Sequence, residues 1–563
     1  MSYIVVLLSF VCVCISPYSL AQGQLGVSLI SNKEKELNIK PNVTLQFYLT
    51  SIHQNVAHVV FQAHTQFRNI TVSTTAEPTY STSVNGSHVG VLTSLHKLQD
   101  NATWYVTSWN DADIHLVVIA VTYSSTDPVP GGCNQEFNLQ VDPNLNLAKV
   151  TTDLTVLQYP HANVAYNRDP KLGPPVCESI KNNLTYELYE LYITERDLSE
   201  LAFTLAIKKM LTVGDVLKNG RKLISLSSSD KANLSMVTYP GQGVVWTVLV
   251  TQLVNTTIHQ AVYVPMASYA CNFESNENGC NNIDTAWTWI AASFSAVVGI
   301  FICFLGHRHF KTELFIFGGL TFTLIFFIVF SIATDISGMD LAIATALFAL
   351  LGAVLWLTFW WYCGLAVFSV LLVALLFGYL VASTLFFTPF GNIPWWRSNL
   401  NYGMTFACAV LILPVIFLYW TKTLNIISCA VVGSYGFVAG VSMAAHGSLA
   451  YIVVNSVKSA VVHDFIKAIP TTPFQYSDII LCAVWGILAI VGLCIQLYTE
   501  RHQPDFPPCP YKMHKQKREE ARRQQHLNTQ TERSPLLEDA VNIQYGGLNS
   551  PSYARAPHLN EIT

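Results

Sequence analysis

Charged side chains are scarce in this chain: Asp, Glu, Lys and Arg together make up 12% of its 563 residues, while 51% are hydrophobic. So little charge excludes an ordinary soluble protein and points to a membrane protein, in line with a mean hydropathy of +0.36. Basic residues are not in excess, the formal net charge being −4, so no nucleic-acid partner is expected. Signatures of catalysis and metal binding are also missing from the first 284 residues: no Gly-x-Ser-x-Gly elbow occurs, and no Cys-x-x-Cys or His-x-x-x-His pair. His53, His58, His64, His88, His96 and His115 stand singly on strands and turns, so neither a metal nor a cofactor is expected and no enzyme is read from this part.

What is present is strongly partitioned. Seven Asn-x-Ser/Thr sequons, at Asn42, Asn69, Asn85, Asn101, Asn183, Asn233 and Asn255, all precede residue 260, and every long apolar run except the N-terminal one follows residue 285. Glycan is attached only in the secretory lumen, so the partition predicts a glycosylated ectodomain on a membrane bundle. Residues 1–21 read as a signal peptide: an apolar core of about 12 residues, Ile4 to Ile15, is shorter than the roughly 20 that span a bilayer, and Ser19-Leu-Ala21 supplies small residues before the cut. The mature ectodomain then keeps Cys133, Cys177, Cys271 and Cys280, an even set in an oxidising compartment. Two disulfides are expected; of the three possible pairings, Cys133 with Cys177 and Cys271 with Cys280 is preferred.

Residues 22–284 carry short runs rich in Val, Ile, Thr, Tyr and Trp, such as Val43–Leu49, Trp104–Trp109, Ile114–Tyr123 and Val244–Thr251, which predict strands. The turn Asp127-Pro-Val-Pro-Gly-Gly-Cys133 ends one sheet unit, since its prolines lack the N–H a central strand needs. A Pro-rich link, Asp169 to Pro175, suggests two β-sandwich-like modules, 22–168 and 169–284, with one helical stretch near Leu198–Leu211.

Residues 285–500 predict a seven-helix transmembrane bundle, with spans near 286–305, 314–333, 341–360, 365–387, 404–420, 426–446 and 479–498. Basic residues in Gly306–Glu313 and from Arg501 onward, against two Asp in Thr334–Asp340, place the N-terminus lumenal and the C-terminus cytosolic. Ser448–Ile469, with Tyr451, Val454, Val457, Val461 and Phe465 at helical spacing, reads as an amphipathic lumenal helix. The span interiors hold no Asp, Glu, Lys or Arg, which argues against a pump or coupled transporter, and Gly436 and Gly440 predict close helix packing. Trp360-Trp-Tyr-Cys-Gly364 stands where a G-protein-coupled receptor would carry Asp/Glu-Arg-Tyr, so that analogy is set aside. His307, His309 and Glu313 read as a basic interfacial turn, Cys303 and Cys509 as candidate acylation sites, and His446, His463, Asp464 and Asp478 as the one set a membrane hydrolase could use.

The tail, 501–563, is polar enough to predict disorder. It carries two sorting patterns of the kind clathrin adaptors read: Glu532-Arg-Ser-Pro-Leu536-Leu537 and Tyr545-Gly-Gly-Leu548.

Several segments together, Asp127–Asn134, Leu305–Phe315, Phe386–Asn392, Gly433–Tyr435, Ala483–Gly486 and Pro507–Lys512, carry a resemblance to the transmembrane 7 superfamily member 3 family. The bundle also resembles a module shared with another multi-span family implicated in signalling at the cell surface. The resemblance implies a plasma-membrane or endomembrane protein that supports cell survival and restrains the unfolded-protein response, without an established catalytic site. The expected function is therefore a receptor-like or scaffold glycoprotein whose ectodomain binds a protein or glycan ligand and whose bundle contacts membrane lipids. A passive channel, scramblase or lipid carrier with an ectodomain lid is the alternative.

Overall fold

Strand-forming residues alternate along much of the N-terminal half, and the computed structural model arranges them as paired sheets. It describes residues 26–169, 174–177, 184–194, 196–228, 230, 232–273, 280, 286–336, 338–445 and 447–544; the expected signal peptide and Asn183 lie outside them. The chain forms two compact units. One comprises residues up to 300 with 379–410 and 433–489, and the other 301–378, 411–432 and 490–563.

In the first unit, β1 (Gly26–Leu29), β3 (Thr44–Leu49), β8 (Ala102–Thr107), β5 (Ile70–Ser73) and β6 (Ser83–Gly86) form one sheet in that order. It faces a second sheet, β2 (Lys35–Ile39), β9 (Ile114–Ser124), β4 (Val56–His64) and β7 (His88–Ser94). The period-two rule is visible in β3, where Leu45, Phe47 and Leu49 point inward. Phe61 stacks on Trp104 with centroids 5.0 Å apart in this core. Strands β4 and β9 are buried on both faces: Val59, Phe61, Ala63, Leu116, Val118 and Ala120 fill the first core, whereas Val60, Val117, Ile119, Val121 and Tyr123 belong to the next.

That second core lies in another sandwich, built from β10 (Asn146–Val150), β11 (Leu154–Gln158) and β14 (Asn233–Val237) on one side. The other sheet holds β13 (Arg221–Ser227), β12 (Leu184–Tyr192), β15 (Val244–Val254) and β16 (Thr257–Val262), with β17 (Met266–Ser268) also on β15. Helices α1 (Glu200–Lys208) and α2 (Val213–Asn219) start at Ser199 and Thr212, whose side chains accept the N–H of Ala202 and Asp215.

The sheets do not divide at 168/169. Strand β11 pairs with β14 from Leu154↔Val237 to Gln158↔Asn233, so residues 146–158 belong to the second sandwich and the division falls after β9. The Pro-rich segment is a connection inside that sandwich, tied back by a Cys133–Cys177 disulfide. The division itself is made at the Asp127–Cys133 turn, where Gly131 has φ +66° and an added Cβ would lie 1.7 Å from the Asp142 carbonyl oxygen. A second disulfide joins Cys271 and Cys280.

Six segments among the described residues are long and apolar enough to cross a membrane. They contain α3 (Ala286–Leu305), α4 (Phe310–Ala333), α5 (Gly338–Cys363), α6 (Ala366–Phe387), α7 (Asn399–Phe417) with α8 (Thr421–Ala444), and α10 (Tyr476–Glu500). The Asn399–Ala444 segment has 46 residues, roughly 70 Å of helix against about 30 Å of hydrocarbon. A 3₁₀ turn at Leu418–Trp420, just beyond Pro414, breaks it into α7 and α8. Where α8 meets α3, a Cβ on Gly440 would lie 2.4 Å from the Ala292 carbonyl oxygen, so the glycine sets how near the helices come.

The tail departs from the expected disorder. Residues Pro510–Gln544 form α11. The run Lys515-Gln-Lys-Arg-Glu-Glu-Ala-Arg-Arg-Gln-Gln525 consists of strong helix formers, and Pro510 stands at the first helical position, where its missing N–H costs nothing. A polar composition rules out a buried core but not an exposed helix. The dileucine pattern, Glu532 to Leu537, falls within α11; Tyr545 and Leu548 lie outside the described residues.

Candidate functional site

The segment expected as one amphipathic helix over 448–469 is a shorter helix and a strap. Helix α9 covers Tyr451–Val461 and, at 11 residues, about 16 Å, cannot cross a bilayer. Asp464 then takes a left-handed conformation at φ +63°, a 3₁₀ turn runs over Phe465–Lys467, and the chain continues irregularly to Gln475.

The strap joins the second sandwich. Ile469 N–H donates to the Ser235 carbonyl at 2.8 Å and its carbonyl accepts from Val237 N–H at 3.2 Å, a parallel bridge beside β14. The Thr471 hydroxyl donates to the Val237 carbonyl at 3.2 Å. Phe465, Ala468, Val237 and Tyr239 bury one another in a small apolar cluster.

Tyr239 is the hub. Its ring stacks on Tyr451 with centroids 4.1 Å apart, its hydroxyl donates to the Thr471 carbonyl at 3.0 Å, and Asn455 Nδ2 donates to that hydroxyl at 2.8 Å. Lys458 Nζ lies 5.5 Å from the Tyr239 centroid and 2.8 Å from Asp153 Oδ1, combining a cation–π contact with an ion pair. Beside it, Arg221 Nε donates to Glu190 Oε1 at 2.8 Å and its Nη2 to the Thr472 carbonyl at 3.3 Å. Burial pushes the Glu190 carboxyl up to about 7 even though Arg221 pulls it down.

Spacing along α9 explains how one short helix serves two neighbours. Tyr451, Asn455 and Lys458, four and three residues apart, share the face toward the sandwich. Ile452, Ser456 and Ser459 repeat that spacing one residue on. Ser456 is within 2.6 Å of the Tyr379 hydroxyl and 3.0 Å of Ser383 Oγ on α6, and the Tyr402 hydroxyl of α7 donates to Ser459 at 3.2 Å. An unbroken set of contacts therefore runs from the sandwich through α9 to two membrane helices.

The other expected site residues fall elsewhere. Asn42, Asn69, Asn85, Asn101, Asn233 and Asn255 are all exposed. Of the hydrolase set, Asp478 is buried and accepts the N–H of Ser448 at 2.6 Å and of Gln475 at 2.9 Å, while His463 and Asp464 pair at an exposed turn. His446 lies outside the described residues. Cys303 and Cys509 are both buried, the latter against Gly364, so neither presents a thiol for acylation. His58, Gln62 and His64 follow the parity of Val60 and, with His88, are buried where the first sandwich meets the second; His58 stacks on Tyr123 at 5.2 Å and neither of its ring nitrogens has a hydrogen-bond partner among the described residues.

One buried cluster overturns an expectation: His307 and Glu313, expected in a basic interfacial turn, are both buried. In the second unit Glu313, in the first turn of α4, is fully buried and accepts from Asn425 Nδ2 at 3.0 Å; the same amide lies 3.1 Å from His307 Nδ1, and Gln496 Oε1 accepts the His307 N–H at 3.2 Å. The expected spans start at 314 and 426, so Glu313 lies one residue outside the charge-free span interiors, and Asn425, one residue before its own span, carries no charge to mark it. An intramembrane carboxyl held by an amide rather than a cation is a tightly constrained arrangement. Replacing Asn425 with Leu is expected to remove the amide donor of Glu313, leaving it only the Cys429 thiol, and to cost about 2 kcal/mol, read as an earlier thermal transition of the detergent-purified protein; Asn425→Gln should recover part of it.

Known proteins resemble most of the chain. Residues 26–123 match the family profile of a TM7SF3-like, N-terminal immunoglobulin-like domain, 128–274 that of the TM7SF3-like, second immunoglobulin-like domain, and 292–497 a TM7S3/TM198-like domain. The chain is 35% identical over 477 residues to transmembrane 7 superfamily member 3 of Homo sapiens and 37% identical over 478 residues to that of Mus musculus. Each match covers 84% of this chain and 83% of the relative. Among solved structures, a putative beta-galactosidase from Bacteroides fragilis aligns over 40% of this chain and 33% of its own at 10% identity, with a TM-score of 0.17, too low to carry an argument.

Proposed function

The chain belongs to the transmembrane 7 superfamily member 3 family, and from that premise we propose that it is a receptor-like or scaffold multi-pass glycoprotein without catalytic activity. Its ectodomain binds a protein or glycan partner, and the Tyr239 hub passes the consequence to the bundle. The observation that carries this reading is the contact set through α9: Asn455 and Lys458 hold the sandwich while Ser456 and Ser459 hold α6 and α7. A ligand that moves β14 cannot do so without moving the strap.

The break at Leu418–Trp420 supports seven crossings, with the N-terminus lumenal and the C-terminus cytosolic. Six exposed sequons support glycosylation. The route runs through the secretory pathway to the plasma membrane, and the dileucine at Leu536 and Leu537, read by clathrin adaptors, directs part of the protein to endosomes or lysosomes. By family resemblance the output is support of cell survival and restraint of the unfolded-protein response.

The test is an unfolded-protein-response reporter in cells lacking the protein, under a chemical folding stress, with the full chain restored or the chain carrying Tyr239→Ala. Restoration should lower the reporter and the variant should not, at equal surface amounts. A reporter indifferent to the full chain would remove the signalling reading.

A further inference from the structure

We propose that a recess between α6, α7 and the strap binds the headgroup of a phospholipid, through a phosphodiester on Arg397 and a donor-bearing head on Asn455. This goes beyond the receptor-like reading and does not depend on it.

The recess has a volume of about 60 Å³, far below the 300 Å³ or more of a pocket that swallows a whole small molecule. It admits one compact group. Its polar lining includes Arg397, Asn455, Ser459 and Tyr402, and its apolar wall includes Phe386 and Trp396. The wall is rigid: Phe386 packs on Trp396 at 5.7 Å and on Tyr402 at 4.8 Å, and Trp396 Nε1 donates to the Phe390 carbonyl at 2.9 Å.

Two groups in it lack complements. Arg397, half-buried on the 3₁₀ turn Pro394–Arg397, has no hydrogen bond or ion pair among the described residues. Asn455 Oδ1 is buried without a donor among the described residues, its Nδ2 being committed to Tyr239. A ligand that satisfies both offers an oxyanion to the guanidinium fork and an N–H or O–H to the amide oxygen.

The surroundings say where the rest of such a ligand goes. Trp395, next to Arg397, is 64% exposed, as a tryptophan at the headgroup level of a bilayer would be. Leu400 and Met404, one α-helical turn apart on α7, are 73% and 62% exposed, an apolar track for acyl chains leading away from the site. A small polar recess beside an exposed apolar track fits an amphiphile, not a free solute. The head must also donate. Phosphatidylethanolamine supplies an ammonium N–H, and phosphatidylcholine, equal in net charge, does not.

Native mass spectrometry of the full-length protein in detergent doped with equal amounts of the two lipids tests this. The wild type should retain phosphatidylethanolamine in about one copy and at least about fivefold over phosphatidylcholine. Arg397→Gln, at a side chain with no hydrogen bond or ion pair among the described residues, should lose about tenfold in retention at an unchanged thermal midpoint, while Arg397→Lys keeps most of it. Inorganic phosphate at millimolar concentration should displace little lipid. Equal retention by Arg397→Gln, no preference between the two heads, or full displacement by inorganic phosphate would each overturn the assignment, the last by showing a free-oxyanion site.

Discussion

Shifting the pH from 7 to 5 is expected to weaken the ectodomain through His58 and His88 by about 4 kcal/mol in sum, close to 2 kcal/mol for each ring. Both are buried where the two sandwiches meet. Removal from water pushes His58 down to about 4 and His88 to about 3, and it lowers His64, whose neighbour His88 lowers it further. Since an unfolded imidazole titrates near 6.5, the unfolded chain takes up protons first as the pH falls. Stability is therefore complete above that value and is lost progressively down to the folded values near 4 and 3. Glu190 works the other way: raised to about 7 by burial against the pull of Arg221, it gains its proton in the folded state first. The measured slope is then shallower than the histidines alone would give. Thermal unfolding at both pH values, in the wild type and in a His58→Gln, His88→Gln variant, separates the two. A variant with the wild-type pH dependence would show that these rings do not titrate on unfolding. A membrane protein routed to acidic endosomes would meet this weakening there.

The second large effect is expected at Tyr239. Truncation to Ala removes a fully buried ring, at about 3–5 kcal/mol, and at the same time strands Asn455 and uncovers Lys458. The bridge of Ile469 to β14 should then open, so hydrogen exchange at the Ile469 and Val237 amides should accelerate at least about a hundredfold. Tyr239→Phe keeps the stack on Tyr451 and loses only the hydroxyl, for about 1 kcal/mol. If both variants accelerate exchange equally, the hydroxyl rather than the packed ring holds the strap; if neither does, the strap is anchored elsewhere.

Much of the architecture was legible in the sequence, for physical reasons that differ from element to element. The β-branched and aromatic runs of β9 and β15 announce strands because little else suits a pleated, buried surface. The long apolar helices announce themselves by length. Other features depend on contacts between distant residues. The Pro-rich segment before Cys177 looks like a linker until β11 and β14 are seen to pair across it. The two faces of α9 are written at Tyr451, Asn455 and Lys458 and at Ile452, Ser456 and Ser459, but a hydrophobic reading passes over Asn and Ser. Glu313 and Asn425 sat just beyond the counted spans, where charge is ordinary, and only the folded chain brings them together.

The wall formed by β4 and β9 also governs how this protein can be dissected. A fragment ending at Ser124 would present Val60, Val117, Ile119 and Val121 to water as one apolar sheet face, with His58 and His64 beside them. A fragment beginning at Val129 would bare the other half of the same core. Neither sandwich has a finished exterior of its own, so a soluble piece needs both, together with the Phe465–Ala468 part of the strap that covers Val237 and Tyr239.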